Sequence, residues 1–245
     1  MLADITGNVI PGQLKGPTEN ISIFVLVAFI ETRLVEFSKK YPGSNIKNEK
    51  GLNQELCILL NLYSRKEGYP FLFEKEYMEN VEKGNSAQVD IGVINIENKD
   101  RTKEEPLIHS EYYSSGKSFF SLEVKRLDNI SKAREKEYVL GRFENGKYID
   151  CGGMERFKKG IHGTGLRFGG MIGFVQMFDF GYWQHTINSW IDDLIAGNTP
   201  STVNWTEKDR LSEINKTPIT AQFQSENSRI TGSIRLYHLW VNLVK

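Results

Sequence analysis

Cysteine is scarce in this chain: Cys57 and Cys151 are the only two in 245 residues. They stand far apart without CxxC spacing, which excludes a disulfide framework and a cysteine-built zinc site. The four histidines, His109, His162, His185 and His238, show no ligand spacing either, and none is assigned a role. An excess charge of one sign is also missing, since 31 Lys and Arg balance 31 Asp and Glu. Any surface for nucleic acid must therefore be local. Long hydrophobic runs do not occur. The most apolar stretch, Ile21 to Ile30, is closed by Glu31 and Arg33, well short of the roughly 20 residues a membrane span needs. It follows Asn20 rather than a basic leader, so no signal peptide is expected. Neither Gly152-Gly153 nor Gly169-Gly170 is followed by the GK[ST] of a phosphate-cradling loop. No internal repeat, low-complexity tract or nucleophilic triad can be assembled. What remains is an ordinary composition, 39% hydrophobic and 25% charged, as expected of a globular chain in a reducing, cytoplasmic compartment.

The local patterns divide the chain into elements. Residues 1–19, with Gly7, Pro11, Gly12, Gly16 and Pro17, read as a loose lead-in. Asn20 is placed to cap a helix from Ile21 to Lys40, stopped by Tyr41-Pro42-Gly43. Leu52, Leu56, Leu59, Leu60 and Tyr63 follow helical spacing over 50–66. Phe71 to Tyr77 alternates like an antiparallel strand, and Gln88 to Ile94 and Phe119 to Lys125 read as further, more buried strands. Between them, residues 97–117 look like a long loop. Ser131 to Tyr138 and Gly152 to Gly160 suggest short helices. Met171 to Phe178 is a continuous apolar run suited to a central strand, and Gly181 to Ala196 is an amphipathic helix. The last part, 199–245, is expected to hold a short helix near 207–214, then two extended segments, as an extension packed on a core at about 20–198. The whole reads as one α/β domain, with a central mixed sheet of at least four strands flanked by helices.

Three charged residues interrupt the apolar strands. Asp90 sits in the second, and Glu123 and Lys125 in the third. On a strand Glu123 and Lys125 share a face, roughly 6–7 Å apart, while Val124 points away. Charges at the edge of a core pay desolvation, which is tolerated if they pair or bind an ion. Two carboxylates from adjacent strands suit Mg²⁺, a hard cation that takes oxygen ligands and keeps several waters. An ammonium beside them suits the orientation of a metal-activated water in phosphodiester hydrolysis.

Asp90 with Glu123-Val124-Lys125, each framed by apolar residues and preceded by a helix bearing acids, resembles the PD-(D/E)XK nuclease superfamily over about residues 48–180. The segments Gly153-Met-Glu-Arg-Phe-Lys and Gly169-Gly170-Met-Ile-Gly-Phe are also similar to bacterial nucleases of restriction and phage defence. The resemblance implies a restriction-endonuclease-like core and a Mg²⁺-dependent deoxyribonuclease, with Mn²⁺ able to substitute. It implies that Asp90, Glu123 and the Val124 carbonyl bind the metal and that Lys125 positions the nucleophile. An acid of the first core helix would complete the site, with Glu49 the first choice and Glu55 its competitor. DNA is the implied partner, beside a homodimer or a second defence subunit. Val89 stands where the family often has proline, and the gap between the motifs is long. Lys and Arg outnumber acids four to one over 151–178 and seven to four over 117–142. Arg126, Arg156, Lys158 and Lys159 are therefore the candidate phosphate contacts. Against this stands a plainer reading, a non-catalytic interaction protein on a nuclease-like fold whose Glu123 and Lys125 form a cross-strand ion pair worth little.

Overall fold

A computed structural model describes residues 19–42, 48–79, 88–95, 118–128 and 136–244. Residues 1–18 of the lead-in, most of the connection after Glu79, the 97–117 loop and the start of the Ser131–Tyr138 segment lie outside them. Residues 136–139 form a turn.

Two helices come first. α1 spans Glu19–Lys40, so Asn20 lies within its first turn rather than before it. α2 spans Glu49–Glu67; the Asn48 side chain accepts from the Gly51 N–H at its start, and Gly68, at φ +71°, closes it in the left-handed region that favours glycine. Three strands follow as a meander: β1 (Phe71–Met78), β2 (Gln88–Asn95) and β3 (Ser118–Leu127). Next come a small hairpin, β4 (Arg142–Glu144) with β5 (Lys147–Ile149), and a short helix, α3 (Gly153–Lys158). β6 (Phe168–Val175) and α4 (Phe180–Ile195) follow, then a 3₁₀ turn at Glu207–Asp209 and β7 (Ser212–Lys216), β8 (Thr220–Arg229) and β9 (Gly232–Asn242).

Seven of these strands form one mixed sheet in the order β1-β2-β3-β6-β9-β8-β7. β6 lies at its centre, parallel to both β3 and β9, and all eight of its residues are buried. A strand covered on both faces has no place for polar alternation, which is why its sequence is a continuous apolar run. The C-terminal residues do more than pack on a core: β7, β8 and β9 are the other half of the sheet, and β9 is one of its central strands. The helix expected near 207–214 is a single 3₁₀ turn running into β7.

Helices cover both faces. α1 and α2 bury Ile30, Leu34, Phe37, Leu56 and Leu60 against Ile91, Val93, Phe120, Leu122, Val124 and Phe174. On the other face, α3 and α4 bury Met154, Phe157, Trp183 and Ile187 against Leu127, Met171, Val175 and Trp240. Alternation along β3 follows: Phe120, Leu122 and Val124 face the first layer, so Ser121, Glu123 and Lys125 face α3. Among the described residues no helix is long and apolar enough to cross a membrane.

Candidate functional site

The site lies where β2 leaves β3. The two strands are paired antiparallel down to Ile91 opposite Leu122. Beyond that point side chains replace the backbone partner. Oδ2 of Asp90 accepts the Val124 N–H at 2.8 Å, and Oε2 of Glu49, from the first turn of α2, accepts the Arg126 N–H at 3.1 Å. Two carboxylates thus continue the ladder of β3 past the end of its neighbour. This satisfies N–H groups that would otherwise be buried without a partner, and it gathers acids around Lys125.

Lys125 is held from both sides, with Nζ 2.9 Å from Oε1 of Glu123 and 3.7 Å from Oε1 of Glu49. Burial pulls its ammonium down, but Glu123, Glu49 and Asp90 outweigh this and hold it above the usual lysine range. Glu123 is 1% exposed. Burial pushes its carboxyl up, yet Lys125, His162 and Arg156 together hold it well below the usual carboxylate range. Arg156 Nη1 lies 3.3 Å from Oε1 of Glu123. The helix carrying Arg156 is fixed by close backbone contact. Gly153, Met154 and Glu155 donate their N–H groups to the carbonyls of Glu137, Tyr138 and Val139, the donors a helix start leaves open. A Cβ on Gly152 would stand 2.1 Å from the Leu140 carbonyl carbon, so only glycine fits that approach.

Asp90 is the exception among these acids. Burial, reinforced by the nearby charge of Glu123, pushes its carboxyl up to about 7, against the smaller pull of Lys125 and the Val124 N–H. Around Lys125, Glu49, Asp90 and Glu123 outnumber the fixed cations Lys125 and Arg156, and Asp90 carries the uncompensated charge. The face opposite the cations is different. Nε2 of His162 lies 3.2 Å from Oε2 of Glu123, but without the alignment of a hydrogen bond, so both buried atoms lack a hydrogen-bond partner.

The structure brings Asp90, Glu123, Val124, Lys125 and Glu49 together, and it separates Glu55 from them. The Glu55 carboxylate is engaged by the Tyr41 hydroxyl and lies 3.6 Å from Lys40 Nζ. The choice between the two acids goes to Glu49, since Glu55, six residues on, is turned toward the end of α1. The expected phosphate contacts need correction. Lys158 is buried with its ammonium on Asp209, both side chains wholly covered, and 4.8 Å from the Trp205 ring centroid. It ties α3 to the 3₁₀ turn and cannot reach a phosphate. Lys159 is paired with Asp150 and Glu155, Arg126 with Asp128 and Gln176, and Arg156 faces into the site. Each of these four side chains is thus engaged by an acid.

Two residues that carry no signal in the sequence belong to the site: His162 and Glu79, which follows the end of β1. Among the described residues, no three of His, Cys, Asp and Glu converge to enclose a metal ion by themselves. Asp90 and Glu123 remain as a pair, one of them short of positive charge and the other with an orphaned buried oxygen. Such a pair fits an ion that takes one or two protein carboxylates and fills its shell with water and substrate, as Mg²⁺ does; it does not fit a fully caged ion. Comparison of the chain with protein-family models, curated proteins and solved structures finds no match.

Proposed function

We propose that the chain is a Mg²⁺-dependent deoxyribonuclease with a restriction-endonuclease-like core, acting in restriction or phage defence. One observation carries this reading: Asp90, Glu123 and Lys125 meet where β2 and β3 part, and Asp90 has no ion pair there among the described residues. An uncompensated buried carboxyl costs stability, and a divalent cation bound by Asp90 and Glu123 removes that cost. The Val124 carbonyl would be the further ligand.

The bound ion would polarise the phosphate and lower the pKa of a coordinated water. The residues of the chain do the rest. Lys125 is held cationic by Glu49 and Glu123, so it orients the attacking water and offsets charge on the reacting oxygen. Glu49 fixes Lys125 and the β3 backbone at once. Arg156, the one of the four basic candidates that faces Glu123, would offer its guanidinium to the scissile phosphate.

The test is direct. Purified protein with Mg²⁺ or Mn²⁺ should cut both linear and circular plasmid, and chelator should stop it. Lys125→Ala should melt as a folded protein and be inert. Cutting of linear but not circular DNA would make it an exonuclease. Undiminished cutting by Lys125→Ala would remove Lys125 from the chemistry. Absence of divalent-ion binding by the wild type would leave the interaction-protein reading, in which the buried charges only pair.

A further inference from the structure

The loop after α3 is held from two directions. Glu79 accepts the Gly163 N–H with both oxygens, at 2.8 and 2.9 Å, and the Ser121 hydroxyl of β3 donates to the same carboxylate. From the end of β8, the Arg229 guanidinium donates to the carbonyls of Gly163, at 2.8 Å, and of His162 and Leu166, each at 3.3 Å. Burial pulls Arg229 down to about 10, so this clamp is built at a cost. Gly163 itself stands at φ +59°, which favours glycine there. The side chain that all of this fixes is His162, wholly buried, with Phe157 edge-on to its ring.

The imidazole lies between two carboxylates, with neither ring nitrogen hydrogen-bonded among the described residues. Nδ1 lies 3.9 Å from Oε2 of Glu79, and Nε2 lies 3.2 Å from Oε2 of Glu123. Glu123 is thereby divided: Oε1 meets Lys125 and Arg156, and among the described residues Oε2 meets only His162. A small rotation of the ring would complete the hydrogen bond to Oε2, the tightening that sites of this kind undergo when loaded.

We propose that His162, whose loop Glu79 anchors at the Gly163 N–H, is a positioning residue for Glu123: it holds Oε2 so that Oε1 stays turned toward Lys125 and Arg156. The inference rests on the metal-site reading above. It assigns the Glu79–His162–Glu123 chain the part that carboxylate–histidine pairs play behind metal ligands, where loss of the outer partner typically costs about 10- to 100-fold in metal affinity or activity.

Two near-isosteric substitutions separate positioning from mere packing. The amide nitrogen of glutamine in His162→Gln falls near Nε2 and can donate to Glu123, whereas that of asparagine in His162→Asn falls near Nδ1 and can serve only Glu79. Mn²⁺ binding to the full chain without DNA is measured by calorimetry, thermal melting in chelator reports folding, and plasmid cutting gives kcat and KM. His162→Gln is expected to stay within about threefold of wild type in Mn²⁺ affinity. His162→Asn, melting at the same temperature as His162→Gln, is expected to lose about tenfold or more in Mn²⁺ affinity and kcat, with KM for DNA unchanged. Equal effects of the two variants, or none, would overturn the positioning role while leaving the nuclease intact. A wild type that binds no Mn²⁺ would overturn both readings.

Discussion

Relative to an Asp90→Asn variant, the metal-free protein is expected to weaken as the pH rises from 5 to 8, and Asp90 is the reason. Its folded carboxyl titrates near 7 against an ordinary 3.8. Between those values the folded chain holds a proton that the unfolded chain has released, so stability falls with rising pH and levels off above the folded value. The contribution is complete below about pH 4 and is worth at most about 4 kcal/mol, because Asp90 is not wholly shielded from water. Glu123 does not blur this window. Its carboxyl is held low, so its contribution is present above the usual carboxylate range and is lost only on acidification. The assay is urea unfolding in chelator at pH 5, 6, 7 and 8 for wild type and Asp90→Asn. Burial holds His238 neutral and pushes it down to about 3, so both proteins gain stability as the pH rises through the histidine range. The wild-type-minus-variant difference is therefore the readout, and it should fall by about 3 kcal/mol at most between pH 5 and 8. Mg²⁺ or Mn²⁺ at pH 8 should restore the wild type, by about 2.7 kcal/mol when the ion is at 100 times its dissociation constant, and leave Asp90→Asn nearly unmoved. A wild-type-minus-variant difference that stays constant over this range would refute the claim that Asp90 is the uncompensated charge.

Other consequences follow from particular contacts. Lys158→Ala should cost about 3–5 kcal/mol in urea unfolding by stranding buried Asp209, while a joint Lys158→Met, Asp209→Leu replacement should recover much of it; an unchanged midpoint for Lys158→Ala would mean the pair is not buried in solution. Glu49→Gln should lower plasmid cutting at least tenfold and Glu55→Gln should leave it within twofold, since only Glu49 touches Lys125 and β3; the reverse order would reassign the helix acid. Tyr138→Phe should destabilise by about 1–3 kcal/mol, because the Tyr138 hydroxyl accepts from Trp240 Nε1 and shares a hydrogen bond with His238 Nδ1, each at 2.8 Å, and its loss leaves both unpaired. Burial pushes His238 down to about 3, so the ring is neutral, and with Tyr138 as donor to Nδ1 its proton is expected on Nε2, facing Ser225. Nitrogen chemical shifts of the imidazole would show it, and the opposite tautomer would contradict the network.

Much of the core was readable in the residues. The apolar run of β6, the alternation of β1 and the spacing of α2 each encode a local period that burial rewards, and their observed ranges lie within a few residues of those expected. The paired position of Glu123 and Lys125 follows from strand alternation alone. Some elements escaped for local reasons. The β4–β5 strands have three residues each, too few for a period, although Asn145 and Gly146, at φ +51° and +73°, form the two-residue turn such a pair favours. The segment before β7 has a helical beginning that a single 3₁₀ turn exhausts.

What the sequence determined by itself was therefore which stretches bury themselves, and which charged residues interrupt them at a cost. Folding in space decided who answers those charges. Lys158 and Arg156 are two residues apart on one short helix, yet one is sealed against Asp209, 51 positions on, and the other reaches Glu123, 33 positions back. Glu79 and His162 join the site from loops far apart in the chain. Such pairings depend on long-range proximity, and no period along the backbone records it: hydrophobic pattern is written residue by residue, but electrostatic partnership exists only once the strands are side by side.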